Sequence, residues 1–149
     1  ERKKLTKIHE LRDGHIAQVA AGNHHSMCLD VAGRNVVVFG RGDYGQLGVA
    51  DDPKWGYSEA EPVRLDALEI ERTNLVTHIA CGDHSSFAVK QDGSVYSWGF
   101  GEGGALGHRR LEEDQRRPKI ITTVKAAQLM DIGKVKHVSS GAQHSAIIM

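Results

Sequence analysis

The amino-acid sequence predicts an all-β protein made of tandem units of short antiparallel strands. The chain of 149 residues contains 17 glycines and only 3 prolines, and this composition favours many tight turns. Short apolar or alternating runs are bounded by turn residues, which is typical of strands with one buried face. One segment also recurs three times at a nearly constant spacing, which indicates a repeat architecture.

The repeat is centred on Gly22, Gly82 and Gly141, which lie 60 and 59 residues apart along the chain. A fixed internal period indicates supersecondary units that bury their faces against one another. The turn after this segment is one residue longer in the first unit than in the second, so the first spacing is 60 residues and the second is 59. The matching stretches are Val19–Leu29, Ile79–Val89 and Val138–Ile148, and further along Phe39–Gly48 and Trp98–Gly107.

Each unit is predicted to contain three or four short strands. Asp92-Gly93 favours a type I′ hairpin turn, because glycine and aspartate tolerate the positive φ angles that this turn needs. Neighbouring strands are therefore expected to be antiparallel. The units of the single segment 1–149 are approximately 16–75, 76–134 and 135–149. The predicted strands are Ala17–Ala21, Ser26–Asp30, Val36–Gly40, Thr77–Cys81, Ser86–Lys90 and Val95–Gly99.

Two longer charged segments, 49–74 and 108–134, separate the units. They contain all three prolines and most pairs of adjacent like charges, and such composition is typical of loops. We predict loops here, with a helical turn near 65–71 or 123–130.

The overall composition argues against several classes of protein. Lys plus Arg and Asp plus Glu number 19 each, so no global field attracts nucleic acid or an acidic membrane. No apolar run approaches the roughly 20 residues that span a bilayer, and the first residues lack the apolar core of a signal peptide. Cys28 and Cys81 lie within predicted strands, where a free cysteine acts as a small hydrophobic residue. We therefore expect an intracellular protein without a disulfide.

Two glycine patterns satisfy the dinucleotide-binding spacing, beginning at Gly40 and Gly99. That motif needs a helix that begins at its last glycine and receives a pyrophosphate, and a polar loop follows instead in both places. These glycines are more simply explained by positive φ angles and close packing of the backbone. No cofactor is expected.

Nine histidines suggest a metal site or a catalytic base, but neither interpretation fits the repeat. Residues that recur once per unit are spread out in space, whereas the ligands of one metal ion must converge on it. His25-Ser26 and His144-Ser145 are neighbours along a strand and point to opposite faces, so they do not form a nucleophile and base. An imidazole at such a turn can instead donate to backbone carbonyls of its own or the next unit.

Charged motifs in the turns have ordinary explanations beside functional ones. Asp43 and Glu102 occupy equivalent places and either face a basic partner or are simply solvated. The adhesion-like tripeptide that ends at Asp43 lies in a glycine turn and is set aside. Basic clusters at 2–4, 109–110 and 116–117 could contact phosphates, but neighbouring carboxylates favour a charged loop.

The repeated residues resemble the repeat of the regulator of chromosome condensation family: an apolar residue, Gly-x-x-His-Ser, a turn, then Trp/Phe-Gly-x-Gly-x-x-Gly-x-Leu-Gly. The resemblance implies a β-propeller of about seven blades, each a four-stranded antiparallel sheet. This chain would supply about two and a half blades of a partial β-propeller. The glycines that carry the signature, and that we expect to be structural, are Gly22, Gly40, Gly42, Gly48, Gly82, Gly99, Gly101, Gly107 and Gly141.

Within that family, the residues most resemble the C-terminal repeats of members that exchange guanine nucleotide on Ran-type small GTPases. The resemblance implies a nuclear, non-covalent exchange factor that touches chromatin through parts outside this chain. It implies a role in binding the GTPase for His25 and His144, while the middle repeat has serine at that position and His84 one place earlier. The alternative is a propeller scaffold without exchange activity, as in ubiquitin ligases, kinases or signalling proteins. The candidate partner-binding residues are His25, His144, Asp43, His24 and Glu102.

Overall fold

The computed structural model describes residues 8, 11, 15–49, 58–68, 73–108, 113–124 and 133–149. These form two four-stranded antiparallel sheets and one two-stranded sheet, so the predicted all-β architecture of about two and a half blades is confirmed. Blade 1 contains β1 (Ile16–Ala21), β2 (His25–Asp30), β3 (Val36–Arg41) and β4 (Ser58–Arg64). Blade 2 contains β5 (Val76–Cys81), β6 (Ser85–Lys90), β7 (Val95–Gly99) and β8 (Gln115–Ile120), and blade 3 contains β9 (His137–Ser140) and β10 (Ser145–Ile148).

Six strands, β1 to β3 and β5 to β7, agree with the sequence prediction to within one residue at either end. Each four-stranded blade follows chain order, and every strand pairs antiparallel with its neighbours. Short apolar strands joined by tight turns leave this meander as the simplest way to satisfy the backbone groups. Neither glycine pattern is embedded in a parallel sheet.

The segments 49–74 and 108–134 were predicted as loops, and that prediction is wrong for β4 and β8, which lie within them. Both end their sheets, and among the described residues they pair only with β3 and β7 respectively. Pro62 and Pro118 are tolerated there because an edge strand does not need every N–H for a ladder. Charged side chains also suit an edge, since they discourage pairing with another sheet. The same features hide the strands from a search for apolar alternation.

Short helical turns occur at Asp66–Leu68 and Glu102–Gly104. The first lies inside the predicted helical turn at 65–71. Of the second prediction, at 123–130, only 123–124 belong to the described residues, and these are helical. No helix within the described ranges is both long enough and apolar enough to cross a membrane.

The hairpin between β6 and β7 differs from the predicted type I′ turn. The bond that closes it runs from the Gly93 N–H to the Lys90 carbonyl at 2.8 Å, so Gln91 and Asp92 are its central residues. Gly93 follows with φ of 84°, and the Lys90 N–H donates to Ser94 O at 2.9 Å. This is the three-residue hairpin with a left-handed glycine after the turn. In blade 1 the corresponding bond joins Asp30 N to Asn35 O, one residue further along, as predicted.

The apolar core lies between blades rather than inside any one of them. Strand β5 packs against β1 and β2 on one side and against β9 on the other. Two clusters of buried side chains result, one at each junction. The first includes Met27, Leu29, Val38, Leu47, Ile79 and Trp98. The second includes Phe87, Val89, Val95, Ile121 and Val138.

Equivalent positions show how burial depends on a neighbouring blade. Ile79 is 5% exposed and Val138 is 2% exposed, whereas the equivalent Val19 of blade 1 is 72% exposed. On the other side of the sheets, Val89 is 1% exposed and its equivalent Ile148 in blade 3 is 58% exposed. The apolar side chain is retained at each position, and it is buried only where another sheet packs against it.

Both cysteines are free thiols, as expected from the sequence. Cys28 is buried in β2, and burial raises its pKa. Burial raises the pKa of Cys81, in β5, to about 12. A thiol that resists ionisation is a poor nucleophile, so these residues serve packing.

Candidate partner-binding face

The turns between the first two strands of each blade and the glycine-rich turns after the third strand gather at one end of the sheets. Backbone hydrogen bonds fasten them together: Arg41 N donates to His24 O at 2.8 Å, and Phe100 N donates to His84 O at 2.9 Å. We call this end the loop face. Its segments are 22–24, 41–49, 82–84, 100–108 and 141–144.

Glycine is required where the strand β7 meets the loop face. Gly99 has φ of 107°, and a Cβ atom on it would collide with the His84 carbonyl. Its equivalent Gly40 has φ of 111° and faces the His24 carbonyl in the same way. The glycine therefore brings the two turns of one blade into direct contact.

His25 lies below the loop face, between blades 1 and 2, and is 3% exposed. Its Nε2 lies 2.8 Å from Ser86 Oγ, and Ser86 Oγ donates to Gln46 O at 2.8 Å. Trp98 Nε1 donates to the same carbonyl at 3.0 Å. Because the Ser86 hydroxyl proton is already used, Ser86 accepts from His25, which must carry its proton on Nε2.

The electrostatic surroundings keep this imidazole neutral. Burial, followed by the nearby His84, lowers the pKa of His25 to about 4. His25 Nδ1 is buried and has no hydrogen-bond partner among the described residues, which fits a ring protonated on Nε2 alone. The ring also packs directly on Gly22, where a Cβ would lie 2.7 Å from Nδ1. The structure thus places His25 in the junction between blades, where it is almost wholly covered.

His144 occupies the equivalent position in blade 3 but is exposed. Its ring lies against Gly141, with Cε1 3.0 Å from where a Cβ would stand, as His25 lies against Gly22. In blade 2 the position is Ser85, whose Oγ lies 3.0 Å from Ser140 Oγ across the second junction. Of the two imidazoles, His25 is covered by blade 2, and His144, in blade 3, is exposed in the part of the chain that the structure describes.

A cluster of four rings lies on the loop face and spans blades 1 and 2. The centroid of Tyr44 is 4.9 Å from that of Phe100 and 5.0 Å from that of His84. His24 is exposed and lies 6.3 Å from His84. We call Tyr44, Phe100, His24 and His84 the ring cluster. Sequence reasoning identified His24 only, although the register already makes His24 and His84 equivalent residues.

The predicted acidic residues Asp43 and Glu102 flank the ring cluster. Asp43 forms an ion pair with Arg41, and the hydrogen bond from Arg41 lowers the Asp43 pKa. Arg116 Nη2 donates to the Asp43 carbonyl at 3.3 Å, which connects β8 of blade 2 to the turn of blade 1. Glu102 is exposed in the equivalent turn of blade 2. The structure therefore brings His24, Asp43, Glu102 and His144 to one face and places His25 beneath that face, in the junction between blades 1 and 2.

The chemistry of this face is that of non-covalent recognition. In the part of the chain that the structure describes, no group of three or more His, Cys, Asp or Glu side chains could hold a metal ion. The Ser86 hydroxyl that contacts His25 is fully buried and donates to a carbonyl, so it is not exposed as a nucleophile. What the face offers is aromatic surface, imidazoles and carboxylates.

Comparison with known proteins agrees with this architecture. The family described as the regulator of chromosome condensation (RCC1) repeat matches residues 35–89 and 92–148. Regulator of chromosome condensation of Mus musculus is 32% identical over 130 residues, covering 87% of this chain and 28% of the mouse protein. The E3 ubiquitin-protein ligase HERC2 of Homo sapiens is 34% identical over 143 residues, covering 95% of this chain and 3% of the ligase.

A solved structure shows the same arrangement of blades. Prp20p from Saccharomyces cerevisiae, described with its binding to Gsp1p and histones, superposes with a TM-score of 0.73 and 27% sequence identity. The match covers 91% of this chain and 31% of Prp20p, so the chain spans less than a third of such relatives. The repeat matches, the antiparallel blades and the superposition on Prp20p together establish that this chain belongs to the regulator of chromosome condensation repeat family and forms part of a β-propeller.

Proposed function

We propose that this chain is the protein-binding segment of a propeller that exchanges guanine nucleotide on a Ran-type small GTPase. The observation that carries the proposal is the common location of His24, Asp43, Glu102 and His144 on the loop face. Recognition residues usually lie on loops held by a rigid scaffold. Two similarities favour a small GTPase as the partner. One is to the mouse regulator of chromosome condensation, and the other is to Prp20p, which binds Gsp1p and histones. A nuclear location and contacts with chromatin through other parts of the protein belong to the same proposal.

Exchange of this kind forms no covalent intermediate. A factor that binds the nucleotide-free GTPase more tightly than the loaded form must weaken nucleotide binding by the same factor, because the two equilibria are linked. His144 and His24, which are exposed, and half-buried Asp43 would supply contacts that favour the empty GTPase. His25 would act indirectly, because it joins the two blades beneath the turns that carry these residues.

Nucleotide release tests the proposal directly. Ran loaded with a fluorescent GDP analogue is mixed with the full-length protein, and release is followed with time. We expect acceleration, and we expect His144→Ala to reduce it about tenfold, the effect of losing about 1.4 kcal/mol of contact energy. Val31→Ala is the matched control, since Val31 is 66% exposed at the opposite end of blade 1.

Two outcomes would count against the proposal. Release that stays at its intrinsic rate with micromolar protein would contradict exchange activity. Acceleration that His144→Ala leaves intact would contradict the assignment of this face. The 149-residue chain alone is expected to have little activity, because it covers less than a third of the relatives it matches.

The second candidate is a propeller scaffold that binds proteins without exchanging nucleotide. The observation that favours it is the match to HERC2, a ubiquitin-protein ligase, at an identity similar to that of the mouse relative. Repeat glycines specify the fold, whereas the turns specify the partner. The absence of accelerated release in the same assay, together with retained binding to a partner, would support the scaffold.

A further inference from the structure

We propose that the ring cluster and the carboxylates around it form a docking surface for a lysine- or arginine-rich segment of a protein partner. The proposal rests on the proposed function only in taking the partner to be a protein, and it does not depend on nucleotide exchange. The four rings have no assigned role in packing either core, because none of them belongs to the two clusters of buried side chains between the blades.

The geometry of the rings is that of a preformed aromatic surface. Tyr44 and Phe100 meet edge to face at 64°, and Tyr44 meets His84 at 53°. Such tilted contacts hold each ring in place. Tyr44, Phe100 and His84 are all partly exposed, so ring surface remains accessible. A rigid aromatic surface of this kind is typical of the energetic centre of a protein interface, since little side-chain entropy is lost on binding.

The separation of the rings determines how a cation would bind. Centroids only 4.9 and 5.0 Å apart leave no space for an ammonium group between the rings. A planar guanidinium or an ammonium can instead lie on the outer faces, where the ring quadrupole attracts positive charge. Blade 2 already contains one such contact, since Lys90 Nζ lies 5.1 Å from the Tyr96 centroid.

The charges around the cluster favour a basic occupant. Asp43 and Arg41 neutralise each other in their ion pair. Asp83 lies in the same turn as His84, and Glu102 follows Phe100 closely along the chain. Asp114 reaches the turn through a hydrogen bond from Gly101 N at 2.9 Å. Apart from the ion pair, Asp83, Glu102 and Asp114 therefore bring carboxylates to these turns, and Arg116 brings a guanidinium.

Peptide binding tests the proposal. The probe is fluorescein-labelled nona-arginine, titrated with the protein at 50 and 300 mM NaCl and followed by anisotropy, with nona-glutamate as the opposite-charge probe. We expect nona-arginine to bind and nona-glutamate not to bind. Tyr44→Ala should raise the dissociation constant about five- to tenfold through loss of the ring, while Tyr44→Phe should retain binding.

Further variants separate the role of the rings from that of apolar surface and of charge. Phe100→Leu keeps an apolar side chain and should weaken binding about as much as Tyr44→Ala, because leucine has no ring quadrupole. Asp43→Asn leaves Arg41 unpaired and should also weaken binding. Val31→Ala, at the opposite end of the blade, should have no effect. Circular dichroism and thermal melting of each variant establish that it is folded.

Two results would overturn the proposal. Equal affinity of the wild-type chain, Tyr44→Ala and Phe100→Leu for nona-arginine would show that binding is diffuse and does not use the rings. Preferential binding of nona-glutamate would show that the face selects an acidic partner. Failure of nucleotide exchange on Ran would leave both readouts intact, so the two proposals can fail separately.

Discussion

The neutral imidazole of His25 makes the junction between blades 1 and 2 sensitive to acid. The folded state lowers the His25 pKa from 6.5 to about 4, so the folded chain binds this proton less readily than the unfolded chain. The resulting stability is fully present above the unfolded pKa of 6.5 and is lost as the pH falls toward 4. A difference of this size corresponds to about 3 kcal/mol, as an order of magnitude.

We therefore predict that the free energy of unfolding falls between pH 7 and pH 4.5, and that His25→Gln makes this fall shallower. Glutamine can still donate to Ser86 but does not titrate. Partial burial also lowers the pKa of His108, so the difference between wild type and variant isolates His25. Urea denaturation at the two pH values measures it. If the free energy of unfolding falls by the same amount between pH 7 and pH 4.5 in both proteins, His25 is not the group responsible.

Sequence reasoning at the scale of single residues identified the position of His25 but not its surroundings. The sequence allowed two interpretations of His25: a contact with a partner, or a turn imidazole that bonds the next unit. Both require histidine at the same position of the repeat, so the sequence does not distinguish them. The distinction depends on Ser86, which is 61 positions away and reaches His25 only when two sheets stack. The same holds for Tyr44 and Phe100, which meet across blades and carry no repeated signal.

The strands differ in how visibly the sequence specifies them. Inner strands such as β2 and β6 have a neighbouring strand on each side and are mostly buried, so their apolar runs and bounding turns predict them well. Strands β4 and β8 end their sheets, as β1 and β5 do, but β1 and β5 pack on each other across the first junction and keep an apolar pattern. In β4 and β8 proline and charge are tolerated, and the pattern disappears. Pairing with β3 and β7, which the local sequence does not encode, makes them strands.

At the same scale, the glycines that join β3 and β7 to the loop face can be tested in a matched pair. Gly99→Ala should destabilise the fold by more than 2 kcal/mol, because alanine at φ of 107° is strained and its Cβ collides with the His84 carbonyl. Gly103→Ala should cost about 1 to 2 kcal/mol, since φ is 69° and the nearest atom is 3.9 Å away. Chemical denaturation gives both values. Equal losses would show that the close approach is unimportant.

Apolar contacts at the junctions between blades stabilise the whole molecule. Because the repeat places equivalent residues at a buried and at an exposed position, the two can be compared directly. Ile79→Ala removes side-chain atoms from the first junction and should destabilise the 149-residue chain by about 2 to 4 kcal/mol. Val19→Ala, at the equivalent exposed position, should change stability by less than about 0.5 kcal/mol. Thermal or urea unfolding compares them. Similar losses at both positions would contradict a core located between blades.

At this scale the sequence predicts the fold well, because glycines, turns and short apolar strands recur together with one period, which indicates stacked repeat units. The structure places His24, Asp43, Glu102 and His144 at one end of the blades, in turns that recur with the repeat. The period does not predict which of these residues are covered. Exposure at that end depends on how each turn packs on the next blade, as the contrast between His25 and His144 illustrates.

The contact of Tyr44 with His84 and Phe100 joins rings from two separate sheets. Any molecule that rests on these rings therefore touches both sides of the boundary at once and resists their separation. Occupancy would raise the melting temperature in proportion to the logarithm of ligand concentration. A partner bound to this surface would stabilise the junction between the two sheets, and after it dissociates only the contacts between the sheets would stabilise that junction.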